Sequence, residues 1–218
     1  MILEIDVVSD VVCPWCYVGK RRLERALQSL DGRYEYRVTW RPFELNPGMP
    51  PEGMDRLQYL EAKFGSVAAV RQLEARVAAA GSEEGLDFAF DKIRRTPDTF
   101  DAHRLIWLAQ PEGLQDAVVE GLFRGYFTEG ADLSRRETLI EIAGKAGLPA
   151  DRIERLLNGE DGAAAVREEE ANAKKAGINA VPHFIVNRRY ALSGAQDPRR
   201  LVSAFELAMV QATVRTGR

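Results

Sequence analysis

The sequence predicts an α/β fold in which a β-α-β unit at the start of the chain and a β-β-α unit at its end enclose a long all-helical stretch. Three observations predict it. Alternating, β-branched segments occupy the first forty residues and return after residue 180. Helical periodicity runs almost unbroken between them. Two strands alone make a marginal sheet, so the two end units must pair into one.

Ile2 to Val8 alternates and then turns apolar, the pattern of a strand, and Ser9-Asp10 ends it. Pro14 suits a first helical position, where its missing N–H costs nothing. Leu23, Ala26, Leu27 and Leu30 follow at helical spacing, and Asp31-Gly32 is expected to stop the helix. Tyr34 to Trp40 alternates again as a second strand, before a proline-rich turn from Arg41 to Pro51. Helical segments are expected near 54–64, 66–80, 98–109, 113–128, 135–146 and 150–176, divided by Gly or Pro. Ser134-Arg135-Arg136-Glu137 has the form of a capping box. Glu170 and Lys174 form an i, i+4 surface pair. Phe184 to Val186, a turn at Asn187-Arg188-Arg189, and Tyr190 to Leu192 read as a hairpin. Asp197 and Pro198 cap a last helix as N-cap and N1. The expected division is residues 1–52 with 178–218 as the strand-bearing domain, and 53–177 as a helical insertion domain.

Of the 218 residues, 45% are hydrophobic and 29% charged, the balance of a globule that buries a core without covalent staples. A net charge of −3 gives no electrostatic case for nucleic acid or an anionic membrane. The short clusters Lys20-Arg21-Arg22 and Arg199-Arg200 read as solvated helix faces. No apolar run approaches the ~18 residues of a membrane span. Acidic residues at Glu4 and Asp6 stand where a secretory signal would be basic, so a cytoplasmic location is expected.

The two cysteines stand together in Cys13-Pro14-Trp15-Cys16, at the predicted strand-to-helix junction. A reducing compartment argues against a structural bridge, and one across so short a loop would constrain the unfolded chain little. Redox chemistry is the better reason for the pair. A helix N-terminus presents unpaired amides and the positive end of the macrodipole, and both favour a thiolate, the nucleophile of disulfide exchange. Cys13 is therefore expected to attack. Cys16, nearly one turn on, is expected to be more buried and to resolve the mixed disulfide. A zinc site built from these cysteines with His103 and His183 would need ligands from three distant segments, against the close spacing of ordinary zinc fingers. No metal is expected.

The run from Ser9 through Cys13-Pro14-Trp15-Cys16 to Lys20 resembles the active-site segment of the DsbA-like family, in its FrnE-like branch. Trp40 to Pro47, Thr99 to Leu105, Ala180 to Phe184 and Ser193 to Gln196 are similar to other segments of that branch, in the same order. The resemblance implies a thioredoxin-like fold split by a helical domain, with Pro182 in cis beside the dithiol. It implies backbone groups at Val181 offered to an extended substrate. It also makes a homodimer plausible. Asp98 stands where the branch commonly has asparagine, and His183 where an aromatic residue is usual. The related 2-hydroxychromene-2-carboxylate isomerases and kappa-class glutathione transferases carry serine in place of Cys13 and lack the dithiol.

The leading expectation is thus a thiol–disulfide oxidoreductase acting on protein or small-molecule thiols, with Cys13 and Cys16 catalytic. Trp15 is expected as an exposed contact surface beside the dithiol, with Pro14 in the first turn. Phe43, Leu45 and Asn46 are expected to line a cleft if the proline-rich turn folds over it. His183 is a candidate to stand near the thiolate or to cap its strand, and His103 to face the cleft or to serve structurally. No bound cofactor is required, and glutathione is a candidate co-substrate. The alternative is a glutathione-dependent isomerase or transferase, in which Cys16 would be dispensable.

Overall fold

The computed structural model describes residues 2–30 and 32–216, with the side chains of 211–216 excepted. Strand β1 (Ile2–Ser9) leads to α1 (Pro14–Gln28) and the parallel strand β2 (Glu35–Pro42). Ser29 is the C-cap of α1, Gly32 follows with φ +68°, and Asp31 lies outside the described residues. Near the other end, β5 (His183–Val186) and β6 (Tyr190–Ser193) form the predicted hairpin. Asn187 and Arg188 both adopt positive φ, as a type I′ turn requires. β5 pairs antiparallel with β1, so the four strands run in the order β2-β1-β5-β6.

The alternation in β1 explains the core. Leu3, Ile5 and Val7 are buried together with Phe184 and Val186 of β5. Leu23, Ala26 and Leu27 of α1 join the same cluster, as do Leu201, Phe205 and Ala208 of α9 (Pro198–Thr216). The Asp197 carboxylate accepts from the Arg199 amide at 2.9 Å, the predicted cap of α9.

Between β2 and β5 a two-residue ribbon, β3 (Met54–Asp55) with β4 (Arg95–Thr96), accompanies seven helices. These are α2 (Arg56–Phe64), α3 (Val67–Ser82), α4 (Phe100–Ala109), α5 (Gln115–Arg124), α6 (Arg136–Lys145), α7 (Ala150–Asn158) and α8 (Ala163–Lys175). A π-helical turn, Gly125–Glu129, extends α5. The helix expected over 150–176 is two helices. Gly162 breaks it with φ +75°, and a Cβ there would lie 2.5 Å from the Trp107 ring. The ribbon escaped prediction because two-residue strands carry no alternation.

Three local expectations are corrected. Ser134 does not cap α6: its hydroxyl and amide both bind Asp132 Oδ1, at 2.6 and 3.0 Å, and Arg135 takes the N-cap position. The Asp132 turn outcompetes the capping box. Glu170 does reach Lys174 at 2.7 Å, but it is buried and accepts the Glu44 amide at 3.0 Å. Lys20 is no solvated residue either. Its side chain is 2% exposed, and Nζ meets Glu24 Oε1, Asp116 Oδ2 at 3.1 Å and Glu120 Oε2 at 3.1 Å. Burial opposes the ammonium, but the carboxylates of Asp116, Glu24 and Glu120 outweigh it and raise its pKa. This ion cluster ties α1 to α5.

α5 also closes the sheet. β2 is an edge strand, and edge amides left bare invite pairing with other chains. The buried Gln115 side chain occupies the Trp40 backbone instead. Its Oε1 accepts from Trp40 N at 3.1 Å, and its Nε2 donates to Trp40 O at 3.2 Å. Among the described residues no helix is long and apolar enough to cross a membrane.

Replacing Gln115 by Leu keeps the volume and strands a buried amide and carbonyl. Urea unfolding is expected to show a loss of roughly 1–3 kcal/mol; an unchanged midpoint would show that the edge needs no such partner.

Candidate active site

The site begins where β1 ends. Asp10 is fully buried, and its Oδ2 accepts the Leu45 amide at 2.7 Å, while its Oδ1 lies 3.4 Å from the Val12 amide. The backbone carbonyl of Asp10 accepts from Cys13 N at 3.0 Å. The strand thus turns tightly into α1, with Cys13 as the N-cap in extended conformation and Pro14 at N1. A Ser or Asp side chain at this position would accept from the first-turn amides. Cys13 brings Sγ there, and as a thiol it makes no such bond. Its sulfur instead lies 3.6 Å from the carbonyl oxygen of Val181.

Val181-Pro182 is a cis peptide bond, as the resemblance implied. Pro182 is held against α1 by Gly19, where a Cβ would come within 2.9 Å of Pro182 Cγ. A larger residue at 19 would push apart the two segments that meet at the sulfur.

Both cysteines are free, and they differ in access rather than in overall burial. Cys13 is 6% exposed and Cys16 1%. Cys13, however, lines an open cleft of about 340 Å³, whereas Cys16 is not among its walls. Cys16 packs in the core beside Tyr17, whose ring stacks on Phe123 at 5.0 Å. Burial pushes the Cys16 thiol well above its ordinary pKa, and the adjacent Cys13 adds to the effect. The pair therefore has one sulfur presented to a ligand and one kept protonated behind it.

The expected supporting residues separate into two groups. Pro14, Trp15, Leu45 and Asn46 line the cleft with Cys13, and Trp15 is 38% exposed. Phe43 does not line it. It is buried on the other side of the turn with Val8 and Ile178, because Ser9 O accepts the Phe43 amide at 3.1 Å and extends the β1–β2 pairing past the strand end. His183 is a strand residue, opposite Val8 in β1 and Ser193 in β6. Burial alone pushes its imidazole below the ordinary pKa, with no charged partner contributing. His103 lies beneath the turn rather than in the cleft: its buried Nε2 is 3.5 Å from Asp10 Oδ1. Among the described residues no three His, Cys, Asp or Glu side chains are arranged to hold a metal ion.

Two sets of residues were not singled out from the sequence. Asp10 read only as a strand end, although a carboxylate between an apolar strand and a dithiol was the available signal. The far wall of the cleft comes from α2 and α3, with Tyr59, Leu60, Lys63, Phe64 and Leu73 among its members, and Phe90, Tyr126 and Phe127 close its floor. Helical periodicity marked α2, α3 and the stretch bearing Tyr126 and Phe127 without saying which face met the dithiol, and Phe90 lies outside every expected helical segment.

A family model of DSBA-like thioredoxin domains matches residues 4–206. The chain belongs to that family. Among solved structures, a probable DsbA oxidoreductase from Streptomyces coelicolor is 34% identical with a TM-score of 0.86, over 95% of this chain and 90% of that one. A 2-hydroxychromene-2-carboxylate isomerase is 16% identical with a TM-score of 0.68, over 100% and 98% of the two chains. The cytosolic disulfide reductase DsbM of Pseudomonas aeruginosa, solved with GSH, is 19% identical with a TM-score of 0.61, over 97% and 99%. The last two likenesses concern the fold. Family and fold place this DSBA-like chain with the DsbA-type oxidoreductases.

Behind the site, Glu44 adds a pH-sensitive element. Burial, compounded by the Glu170 carboxylate, pushes its carboxyl up from 4.5 to about 7, against an opposing influence from His103. Between those values the folded chain binds a proton that the unfolded chain has released. This contribution to stability is complete below the lower value and is lost as pH rises through the upper one. Glu44→Gln is expected to raise the melting temperature at pH 8 more than at pH 5, with a gain on the order of 1–2 kcal/mol at the higher pH. An equal shift at both values would contradict the assignment.

Proposed function

We propose that this chain is a thiol–disulfide oxidoreductase working through the Cys13-Pro14-Trp15-Cys16 dithiol. The observation that carries the reading is the unequal placement of the two sulfurs, Cys13 at the N-cap of α1 and open to the cleft, Cys16 sealed in the core. In the reducing direction the Cys13 thiolate attacks one sulfur of a substrate disulfide and expels the other as a thiolate. Cys16 then loses its proton, attacks Cys13 Sγ and releases the second substrate sulfur, leaving the enzyme disulfide. In the oxidising direction a substrate thiolate attacks Cys13 of the bridged pair, and a second substrate thiol resolves the mixed disulfide.

The burial that raises the Cys16 pKa has a use in this cycle. It keeps the second thiol protonated and quiet until the mixed disulfide forms. The amides at the start of α1 offer hydrogen bonds that the Cys13 thiol does not use and that an anion there would accept. Val181 O, 3.6 Å from the sulfur, offers a backbone acceptor to a substrate bound at Cys13.

The test is a pair of variants assayed for disulfide reduction. Cys13→Ser is expected to lose at least about a hundredfold in turnover. Cys16→Ser is expected to stall after the first step and to accumulate a mixed disulfide at Cys13, visible as an added substrate mass. If Cys16→Ser turns over like the unmodified chain, the dithiol reading is wrong and chemistry of the isomerase type takes its place.

A further inference from the structure

The far wall of the cleft is apolar without a structural reason. α2 carries Leu57, Tyr59, Leu60 and Phe64, yet none of its residues is buried. An amphipathic helix ordinarily lays its apolar stripe on a core. Here Tyr59, Leu60 and Phe64 face the cleft instead. Leu73 of α3 shares this wall, and Trp15 of α1 lines the same cleft; Trp15, Phe64 and Leu73 are 38%, 44% and 37% exposed, large apolar side chains left uncovered on one cavity.

The volume of about 340 Å³ lies at the small end of the range for small-molecule sites. Cys13, only 6% exposed, is reached through this space. That favours a slim ligand over the face of a folded protein.

Charge narrows the class further. Among the described residues the cleft is lined by two cations, Arg56 and Lys63. Arg56 is matched by Glu74 at 2.7 Å. Among the described residues Lys63 has no acidic partner: its Nζ meets Asn46 Oδ1 at 3.0 Å and Tyr59 Oη at 2.6 Å, both uncharged. Tyr59 Oη also contacts Asn46 Oδ1, so the three side chains form one polar corner of the cleft.

We infer that the cleft takes a low-molecular-weight thiol or disulfide with an apolar, aromatic-sized body and a carboxylate. The sulfur meets Cys13, the body lies against Leu60, Phe64 and Leu73, and the carboxylate pairs with Lys63. This rests on the dithiol reading above and names its substrate class. In a single turnover the reduced dithiol gives two electrons to the substrate disulfide; two substrate thiolates leave, and the Cys13–Cys16 bond forms.

The test mixes pre-reduced protein with two aromatic disulfides, carboxynitrophenyl disulfide, which bears carboxylates, and dipyridyl disulfide, which is uncharged. Loss of the dithiol is followed in stopped flow. The ratio of the two rate constants is expected to fall about tenfold in Lys63→Gln, further in Lys63→Glu, and with added salt. Naphthoate, carrying both the body and the charge, is expected to slow either reaction saturably, while acetate at equal concentration does not. A ratio unmoved by both Lys63 variants, acetate as effective as naphthoate, or faster reaction with the disulfides of an unfolded protein would each overturn this substrate class. Failure of every disulfide to react would instead sink the dithiol reading itself.

Discussion

Everything at the site depends on where the first turn of α1 is clamped. Asp10 holds it from below, with its backbone carbonyl on the Cys13 amide and its carboxylate on the Leu45 amide. Pro182 presses from the side, in the gap that Gly19 leaves by having no Cβ. Between these contacts the helix has one rotation, which aims Cys13 at the cleft and Cys16 at the core. The chemical difference between two identical side chains three positions apart follows from that rotation, through access and desolvation. A carboxylate at 10 is therefore part of the scaffold of the dithiol, although it touches neither sulfur by hydrogen bond.

Much of this was legible in the chain itself. The alternation of Leu3, Ile5 and Val7 predicted a buried strand face, and Pro14 after Cys13 predicted a helix opening at the dithiol. Asp197 before Pro198 marked the start of α9. What escaped were features set by partners distant in sequence. Lys20 looks like a surface residue until Asp116 and Glu120 arrive from α5. Phe43 and Asn46 sit in one short turn, yet they face opposite sides, because the Phe43 amide continues the sheet pairing and Asn46 lies beyond it. Ser134 has a capping-box neighbour in Glu137, but Asp132 two residues earlier forms the stronger local turn. Periodicity reports that a helix has two faces; it does not report what each face meets.

The helices between β2 and β5 do more than enlarge the protein. α5 supplies Gln115 to the open edge of β2 and the carboxylates that neutralise Lys20. Its π-helical extension brings Tyr126 and Phe127 to the floor of the cleft. α2 contributes nothing to the core and forms the wall opposite Cys13. Sheet closure, anchoring of α1 and shaping of the cleft thus fall to neighbouring surfaces of one helical assembly. Substitutions on the α2 wall would change what the cleft presents to a ligand and leave the contacts that clamp α1 in place.

The central claim is that the fold makes the two thiols unequal. It is tested most directly by alkylating the reduced native protein with iodoacetamide at pH 7 and following each cysteine by peptide mass. The account predicts that Cys13 is modified first and that Cys16 stays protected until the chain is unfolded. Equal rates, or faster modification of Cys16, would contradict it.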